Sequence, residues 1–318
     1  QSVLLDPGND VARTAIYELI RTADILVEDY RPGVMADMGY SYAAMQALNP
    51  RLIYCSVTLC GQTGPYARKP GHDPVALAVA GALSRMGEDP EKPAFAGVPV
   101  ADLLTGSNAV IGVLAAVIAR ATTGRGQQVD IAMSDSSLAL IASAVSRHPD
   151  LSKLPAKGTR RADCGIWQTA DRLFIVTTDM EPRYWQKFCI AIGKPELVDR
   201  QFDKPHWAEI KSQIATVIAT KSQAEWCVLL EAAGTQFAPV LTIQQALDND
   251  HNRQRGMVVE RQTLGGTEIR QLGSPIHLSE TPVIDPVPAS PAGSATRPVL
   301  EKLGLDADQV SHLCREST

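Results

Sequence analysis

The sequence predicts an α/β protein with a parallel sheet, followed by a second and smaller domain of mixed strands and helices. Short β-rich runs alternate with helical stretches over the first 55 or so residues, which is typical of a parallel sheet. After residue 162 the pattern changes to paired strands followed by helices. The 318 residues also correspond to about two domains, at roughly 150 residues per domain.

The first part of the chain contains three predicted strands separated by two predicted helices. A turn at Asp6, Pro7 and Gly8 separates the first strand from a helix that Asn9 or Asp10 can cap. The strands are predicted at residues 2–5, 25–27 (buried) and 52–57, and the helices at residues 10–21 and 41–47.

Glycine and proline divide the next part of the chain into loops and helices. Residues 61–73 and 87–99 are predicted loops, because both segments are rich in these breakers. The remaining elements are a helix at 74–84, a helix at 105–121, a turn at 124–127, a strand at 129–131 and a helix at 135–145.

Residues 147–161 contain prolines, glycine and several charges, which favours a linker. Beyond it, a turn at Ala170 and Asp171 favours an antiparallel pair of strands. The predicted elements are strands at 165–168 and 173–177, helices at 183–192, 207–219 and 223–232, and terminal helices at 299–303 and 306–313.

Composition excludes several classes of protein. Apolar residues make up 45% of the chain and charged residues 20%, as in ordinary soluble globular proteins, which excludes disorder and collagen-like repeats. The net charge is −5, whereas nucleic-acid-binding proteins normally carry a basic excess. We therefore expect no nucleic-acid partner.

The six cysteines are scattered, without a CxxC pair or a histidine at zinc-finger spacing. This pattern predicts reduced thiols, a cytoplasmic location and no metal site. The longest apolar run, residues 109–119, is shorter than the roughly 20 residues that span a bilayer, so we expect no membrane span. The chain begins with Gln1 and has no signal-peptide pattern, so we expect a longer natural N-terminus.

Asp102 is the first candidate for catalysis. It follows the loop at 87–99 and precedes the predicted helix at 105–121, so it could simply cap that helix and complement its dipole. Alternatively, the apolar residues Leu103 and Leu104 could partly desolvate the carboxylate and make it reactive.

Two further residues have similar alternatives. His72 lies at a loop-to-helix junction beside Asp73, so it is either an incidental exposed side chain or a proton carrier that titrates near neutrality. Glu181 precedes Pro182 at the start of a predicted helix, where it is either a first-turn anion or a functional carboxylate.

A third group of residues could bind an anion. The segment 61–66, which includes Gln62, is followed by Arg68 and Lys69, so it offers backbone N–H groups and two cations, or is an ordinary surface turn. Arg31 follows the end of a predicted strand, where ligands of α/β sheets bind.

Seven short segments resemble the family III CoA-transferases, also called the carnitine dehydratase/bile-acid-inducible family, which includes the α-methylacyl-CoA racemases. The segments occur in the same order over nearly the whole chain. They are VEDYRPGV (27–34), NPRLIYCS (49–56), GQTGPY (61–66), GVPVADL (97–103), TGRGQ (123–127), TAD (169–171) and LGSPI (272–276).

The resemblance implies a Rossmann-like large domain built from both ends of the chain, with a smaller domain inserted. Residues 1–146 would form the first part of the large domain, 147–162 the linker, 163–270 the small domain and 271–318 the return. It also implies an interlocked homodimer and an N-terminal part that is truncated here. Coenzyme A would act as a substrate, with no permanently bound cofactor.

The family contains two reactions, and both use the aspartate that matches Asp102. In transferases it forms a mixed anhydride and then an aspartyl-CoA thioester, so that CoA passes from an acyl-CoA to a free carboxylic acid. In racemases it works with a histidine, matched by His72 and supported by Glu181, to move the proton α to the thioester.

The segment around Asp102 is more similar to transferases, whereas His72 and Glu181 match racemases. We take transfer as the first prediction, racemisation as the alternative, and an inactive acyl-CoA-binding relative as the second alternative. Arg31, Gln62, Arg68 and Lys69 are the predicted CoA contacts. The chain departs from the family pattern at two places, with Leu59-Cys60 where glycine and an aromatic are common and Asp37 where a basic residue is frequent.

Overall fold

Two units make up the chain in the computed structural model, which describes residues 1–87, 89, 91–154, 161–263, 265–284 and 287–316. The first unit combines Gln1–Gly158 with Ser290–Thr318, and the second is Thr159–Ala289. The chain therefore rejoins the first unit at Ser290, whereas the sequence analysis places the return at residue 271. Six residues of the predicted linker, 155–160, lie outside the described residues, and the described part before them contains a short 3₁₀ helix at Leu151–Lys153.

Helices and strands alternate through the first part of the first unit. In chain order they are α1 (Asp10–Thr22), β1 (Ile25–Glu28), α2 (Val34–Asp37), α3 (Tyr42–Leu48), β2 (Ile53–Thr58), α4 (Asp73–Val79), α5 (Val100–Thr123), β3 (Gln128–Ala132), α6 (Met133–Ala139) and α7 (Ala142–Arg147).

The second unit follows, and two helices then return the chain to the first unit. The elements of the second unit are β4 (Cys164–Gln168), β5 (Phe174–Thr178), α8 (Pro182–Ala191), α9 (Trp207–Ile218), α10 (Gln223–Ala233), β6 (Phe237–Pro239), α11 (Ile243–Asp248), α12 (Asp250–Gln254), β7 (Val258–Gln262) and β8 (Glu268–Leu272). The returning helices are α13 (Thr296–Lys302) and α14 (Ala307–Glu316).

The first unit contains a parallel sheet in the order β1-β2-β3, which confirms the predicted α/β class. Ile25 pairs with Ile53 and Tyr54 pairs with Gln128, so β2 is the central strand and is almost entirely buried. β1 is a strand as predicted, but it lies at the edge of the sheet. The sequence predicts that this strand is buried, but Val27 is 59% exposed.

Residues 2–5 form no strand, which corrects the prediction. Their backbone groups pair instead with the segment before α13: the Leu4 N–H donates to Thr296 Oγ1, and the Ala295 N–H donates to the Ser2 carbonyl. Partners about 290 residues away in the sequence therefore set the conformation of this segment, and a local pattern does not reveal them.

The boundaries of two predicted helices also differ from expectation. The helix predicted at 74–84 ends at Val79, because Gly81 has a φ of +75° and a short 3₁₀ helix, Ala82–Arg85, follows. The long helix begins at Val100 rather than near residue 105, so Asp102 lies inside its first turn. At the other end α5 stops at Gly124, whose φ of +70° gives the left-handed cap expected of glycine.

One property of α5 differs from the sequence expectation. This 24-residue helix is long and apolar enough to cross a membrane by length and composition alone, with a mean hydropathy of 1.7 over an 18-residue window. Only 17% of that window is buried. The expectation of no membrane span rests on the shorter apolar run, 109–119, whereas the helix extends beyond this run at both ends, over Val100–Thr123.

The second unit packs helices against a three-stranded antiparallel sheet, with β5 between β4 and β6. The predicted pair β4 and β5 is confirmed, with Trp167 opposite Ile175. Its core contains three tryptophans whose indole N–H groups all donate hydrogen bonds. Trp167 donates to Thr177 Oγ1, Trp185 to the Leu197 carbonyl and Trp226 to the Ile218 carbonyl. These bonds let large aromatic rings be buried without an unsatisfied donor.

Five elements of the second unit were not predicted: β6, β7, β8, α11 and α12. β6 has only three residues and ends at Pro239. The hairpin β7-β8 is mostly polar and is partly exposed on both faces. A search for alternating apolar residues detects neither so short a strand nor so polar a hairpin.

The second unit also contains a buried carboxylate, that of Asp179, which is only partly hydrogen-bonded by the described residues. Asp179 is fully buried; its Oδ1 accepts from the Gln236 N–H, whereas no described residue is bonded to Oδ2. Burial above all raises the pKa of Asp179 to about 6; the hydrogen bond from the Gln236 N–H opposes this shift, and the nearby Asp163 and Glu181 carboxylates add to it. The folded chain therefore retains this proton to a higher pH than the unfolded chain does.

We expect this proton to make stability depend on pH. The folded-state pKa lies above the unfolded value, so the favourable contribution is complete below about pH 4 and is lost as the pH rises through about 6. An Asp179→Asn variant should therefore gain stability relative to the native sequence as the pH rises, by about 3 kcal/mol at most. Thermal melting as a function of pH measures this difference.

The matched control is Asp171→Asn. Hydrogen bonds, first that from Thr169, hold the pKa of Asp171 below its ordinary value, so its removal should not produce such a gain. A melting difference for Asp179→Asn that stays constant over the acidic range would contradict the expectation.

Candidate active site

A large cavity in the first unit lies where the three parallel strands end. Its volume is about 620 Å³. Tyr30 follows β1, Thr58 ends β2 and Met133 follows β3, and all three residues line the cavity. The carboxyl ends of parallel strands are where open α/β sheets bind ligands.

Four of the predicted site residues line this one cavity: Arg31, Lys69, His72 and Asp102. Arg31 reaches it from the loop after β1, and Lys69 and His72 from the loop between β2 and α4. Asp102 reaches it from the first turn of α5. Residues up to 71 positions apart in the sequence are thus brought to one place.

The two candidate catalytic side chains are open to the cavity. His72 and Asp102 are both exposed, and among the residues that the structure describes neither side chain has a hydrogen-bond partner. The expected desolvation of Asp102 by Leu103 and Leu104 is absent, because Leu103 is itself 65% exposed. An exposed carboxylate without a partner is accessible to an electrophile or to a proton.

Asp73 holds the two helices of the site together. Its side chain is buried at the start of α4, and its Oδ2 accepts hydrogen bonds from the Ala101 N–H at 2.6 Å and the Asp102 N–H at 3.3 Å. Both of its partners belong to the start of the next helix, α5, and not to the helix that Asp73 itself begins, α4.

The loop between β2 and α4 has fewer free N–H groups than expected. The Gly61 N–H donates to Thr58 Oγ1, and the Gln62 N–H donates to the Asp130 carboxylate at 3.0 Å. Both N–H groups therefore stabilise the loop and are not available to bind an anion. The cations remain accessible, because Lys69 is exposed with its Nζ 5.6 Å from the centre of the Tyr66 ring.

A smaller cavity of about 130 Å³ lies beside the first, and Arg31 lines both. Gln62 lines this second cavity, together with Tyr54 on β2. Burial raises the pKa of Tyr54 to about 12, and the Glu28 carboxylate adds to this shift, so the phenol stays neutral. Arg68 lines neither cavity; its Nη2 is 3.8 Å from the position of a Cβ built on Gly33.

Glu181 belongs to the second unit, where it is exposed and precedes α8. Its side chain makes no capping hydrogen bond, which disfavours the first-turn role that the sequence allowed. Hydrogen bonds from Gln201 hold the residue before Glu181 in place. The Gln201 amide donates to the Met180 carbonyl at 2.9 Å and to the buried Asp163 carboxylate at 2.8 Å. The loop before Glu181 is therefore held in place, and the Glu181 side chain is exposed.

The sequence analysis missed several residues that line the large cavity. Thr105 and Gly106 lie three and four positions after Asp102, so they share its helix face and line the same cavity. That spacing could have identified them once α5 was known to begin at Val100. Among the described residues, no group of three or more histidine, cysteine or acidic side chains could hold a metal ion.

The cavity combines the Asp102 carboxylate, the His72 imidazole and two cations. A carboxylate in this setting serves as a nucleophile or a base, and an imidazole in the same cavity can transfer a proton. Arg31 and Lys69 suit an anionic part of the ligand, because cations with several donors bind phosphates. The site therefore fits a ligand with a reactive carbonyl group at one end and phosphates at the other.

Comparison with known proteins shows a family match over most of the chain. A family model described as CoA-transferase family III matches residues 1–296. The human α-methylacyl-CoA racemase is 30% identical over 322 residues, which span 98% of this chain and 83% of that protein. The acetyl-CoA:oxalate CoA-transferase of Acetobacter aceti is 29% identical over 290 residues, which span 88% of this chain and 73% of that protein.

The fold has a solved counterpart. The crystal structure of a CaiB/BaiF family protein from Brucella suis superposes on the chain with a TM-score of 0.84. The two sequences are 23% identical, and the match covers 95% of this chain and 81% of that one. At this identity the likeness shows a shared fold.

Proposed function

The chain belongs to CoA-transferase family III, and from this premise we propose that it transfers CoA between an acyl-CoA thioester and a free carboxylic acid, with Asp102 as the nucleophile. The observation that carries this proposal is the Asp102 carboxylate, exposed and unpartnered in the large cavity. A nucleophilic carboxylate has to reach the thioester carbon, and a carboxylate held by other side chains could not.

The proposed reaction proceeds through two covalent forms of Asp102. A carboxylate oxygen attacks the thioester carbonyl, the C–S bond breaks, and CoA leaves as a thiolate from a mixed anhydride. The thiolate then attacks the aspartyl carbonyl, which releases the first acid as a carboxylate and leaves an aspartyl-CoA thioester. The acceptor carboxylate then attacks the aspartyl-CoA thioester, the C–S bond breaks, and CoA leaves again as a thiolate from a second mixed anhydride. The thiolate attacks the acceptor's carbonyl in this anhydride, which gives the acceptor-CoA thioester and regenerates the Asp102 carboxylate. No net proton or electron is needed.

Racemisation is the second candidate, and the presence of His72 with Asp102 in one cavity favours it. In this reaction one group removes the proton α to the thioester and the other returns a proton to the opposite face. Glu181 would support the histidine, as the resemblance implies. The human racemase and the Acetobacter aceti transferase have nearly equal identity to this chain, so identity does not favour either reaction.

Arg31, Lys69, Gln62 and Arg68 form the proposed CoA-binding group. Arg31 and Lys69 line the large cavity, whereas Gln62 lines the smaller cavity next to it. Arg68 lies beside Gly33, and Gly33 follows Arg31 by two residues in the sequence. CoA is thus a substrate in this proposal, and no resident cofactor or metal takes part.

A homodimer is part of the proposal, and the exposed face of α5 supports it. Five large apolar side chains form one stripe along this helix and are 55–72% exposed: Leu103, Val110, Ile111, Leu114 and Ile118. Such a stripe on a helix normally packs against protein. We propose that a second copy of the chain covers it, in the interlocked arrangement that the family resemblance implies. The six unpaired thiols fit the cytoplasmic location that completes this proposal.

Isotope and acyl exchange distinguish the candidate reactions. We expect that an acyl-CoA incubated with a panel of free carboxylic acids gives new CoA esters, detected by mass. A 2-methylacyl-CoA incubated in deuterated buffer should exchange no α-proton if transfer is the reaction. Hydroxylamine should trap an adduct on Asp102. Deuterium uptake without acyl exchange would support racemisation instead, and CoA binding with neither reaction would support a binding-only relative.

Variants at the site refine this test. Asp102→Ala should abolish activity, because it removes the proposed nucleophile. His72→Ala should weaken transfer but stop racemisation. Asp10→Ala is the matched control, since it removes a first-turn carboxylate from another helix, α1. Full activity in Asp102→Ala would overturn the site, and total loss of transfer in His72→Ala would count against the transferase.

Charge removal tests the CoA contacts. Arg31→Gln and Lys69→Gln should each weaken CoA binding by about tenfold, because a hydrogen bond to a charged group contributes about 1.5–3 kcal/mol. Titration calorimetry with CoA measures the dissociation constant. Arg21→Gln, an exposed cation paired with Glu18 on α1, should leave it unchanged. Equal affinity in all variants would remove these residues from the site.

Light scattering coupled to size exclusion tests the dimer. We expect a mass twice that of the 34.2 kDa chain, and a monomer when Ile111 and Ile118 are both replaced by Glu. Val228→Glu is the control, because it charges an equally exposed position on α10. Two tagged populations that exchange no subunits would support interlocking. A native monomer, or flotation of the chain with lipid vesicles, would contradict the proposal.

A further inference from the structure

Asp73 differs from the other acids near the large cavity because it is buried and bonded. Only 9% of Asp73 is exposed, whereas His72 before it and Asp102 are exposed. Its Oδ2 alone accepts both hydrogen bonds, from the Ala101 and Asp102 backbone N–H groups. Among the described residues, no bond to its other oxygen is present.

These two bonds replace a cap that α5 lacks. The first N–H groups of a helix have no partner within the helix, and usually the side chain just before it accepts from them. Here that residue is Pro99, which has no side-chain acceptor. The cap comes instead from Asp73, which lies 28 residues before Ala101 in the chain.

The bonds also join the two candidate catalytic residues. His72 is the residue immediately before Asp73, and Asp102 contributes one of the two N–H groups that Asp73 accepts from. One end of the contact is therefore continuous with the His72 backbone, and the other end is the Asp102 backbone. Any movement of the first turn of α5 away from α4 requires these bonds to lengthen.

We propose that Asp73 is a positioning residue that sets the separation of His72 and Asp102 through its two hydrogen bonds to the start of α5. The inference rests on the proposed function, because it concerns the same cavity. It assigns Asp73 a geometric role and no contact with the substrate. Misplacing a reacting group by about 1 Å can cost roughly a hundredfold in rate.

The single accepting oxygen makes geometry separable from charge. In Asp73→Asn the amide oxygen can take the place of Oδ2 at the same chain length, so both bonds persist without the negative charge. Asp73→Glu keeps the charge but adds a methylene group, which displaces the start of α5. Asp73→Ala removes the bonds altogether.

The experiment measures kcat and KM for acyl-CoA in the full-length native protein and in these three variants, with melting temperatures to show that each is folded. We expect Asp73→Asn to keep kcat within about threefold of the native value. Asp73→Glu and Asp73→Ala should lose roughly a hundredfold in kcat. KM for acyl-CoA should change little, because the proposed CoA contacts are untouched.

Asn9→Ala is the matched control for lost stability. Asn9 caps α1 by accepting from the Val11 and Ala12 N–H groups, and it does not line the large cavity. Its removal should lower the melting temperature as Asp73→Ala does but leave kcat unchanged. A loss of kcat in Asn9→Ala would show that a weakened helix cap is sufficient for the effect, and would overturn the inference.

Other outcomes separate this inference from the proposed function. A native protein with neither acyl transfer nor α-proton exchange would overturn the proposed function and the inference with it. An active native protein whose Asp73→Ala or Asp73→Glu variant keeps its kcat would overturn the inference alone. Loss of kcat or of folding in Asp73→Asn would do the same, because it would assign the effect to charge.

Discussion

The parallel pairing of β2 with β1 on one side and β3 on the other is the interaction on which the candidate site depends. Because the three strands run in one direction, the loops that follow them leave the same edge of the sheet. Tyr30, Thr58 and Met133 meet there for this reason alone. The buried central strand lines the cavity at Thr58. The loop before α4 contributes His72 to the same cavity, and the first turn of α5 contributes Asp102.

Local signals were sufficient for much of this fold. Asn9 caps α1 as its residue type predicts, and Gly124 ends α5 in the left-handed conformation that glycine favours. The site was predictable to the extent that four of its residues follow strand ends or loop breakers. Those signals depend on neighbours a few positions away, and the sequence shows such neighbours directly.

The remainder depends on contacts between distant residues. The segment 2–5 pairs with the chain before α13, and the start of α5 is set by Asp73, so neither boundary follows from the local pattern. The exposure of Asp102 was also not predictable, because apolar neighbours in the sequence do not imply apolar neighbours in space.

The contact between Asp73 and α5 has a consequence for the divergence of the chain. It closes the segment between residues 74 and 100 into a loop whose two ends are tied beside the cavity. Closing a longer loop costs only about 0.6 kcal/mol for each doubling of its length. Insertions and deletions in residues 86–99 are thus tolerated without changing the spacing of the reacting groups. Selection can therefore change the length of this segment while the tie between Asp73 and the start of α5 stays the same.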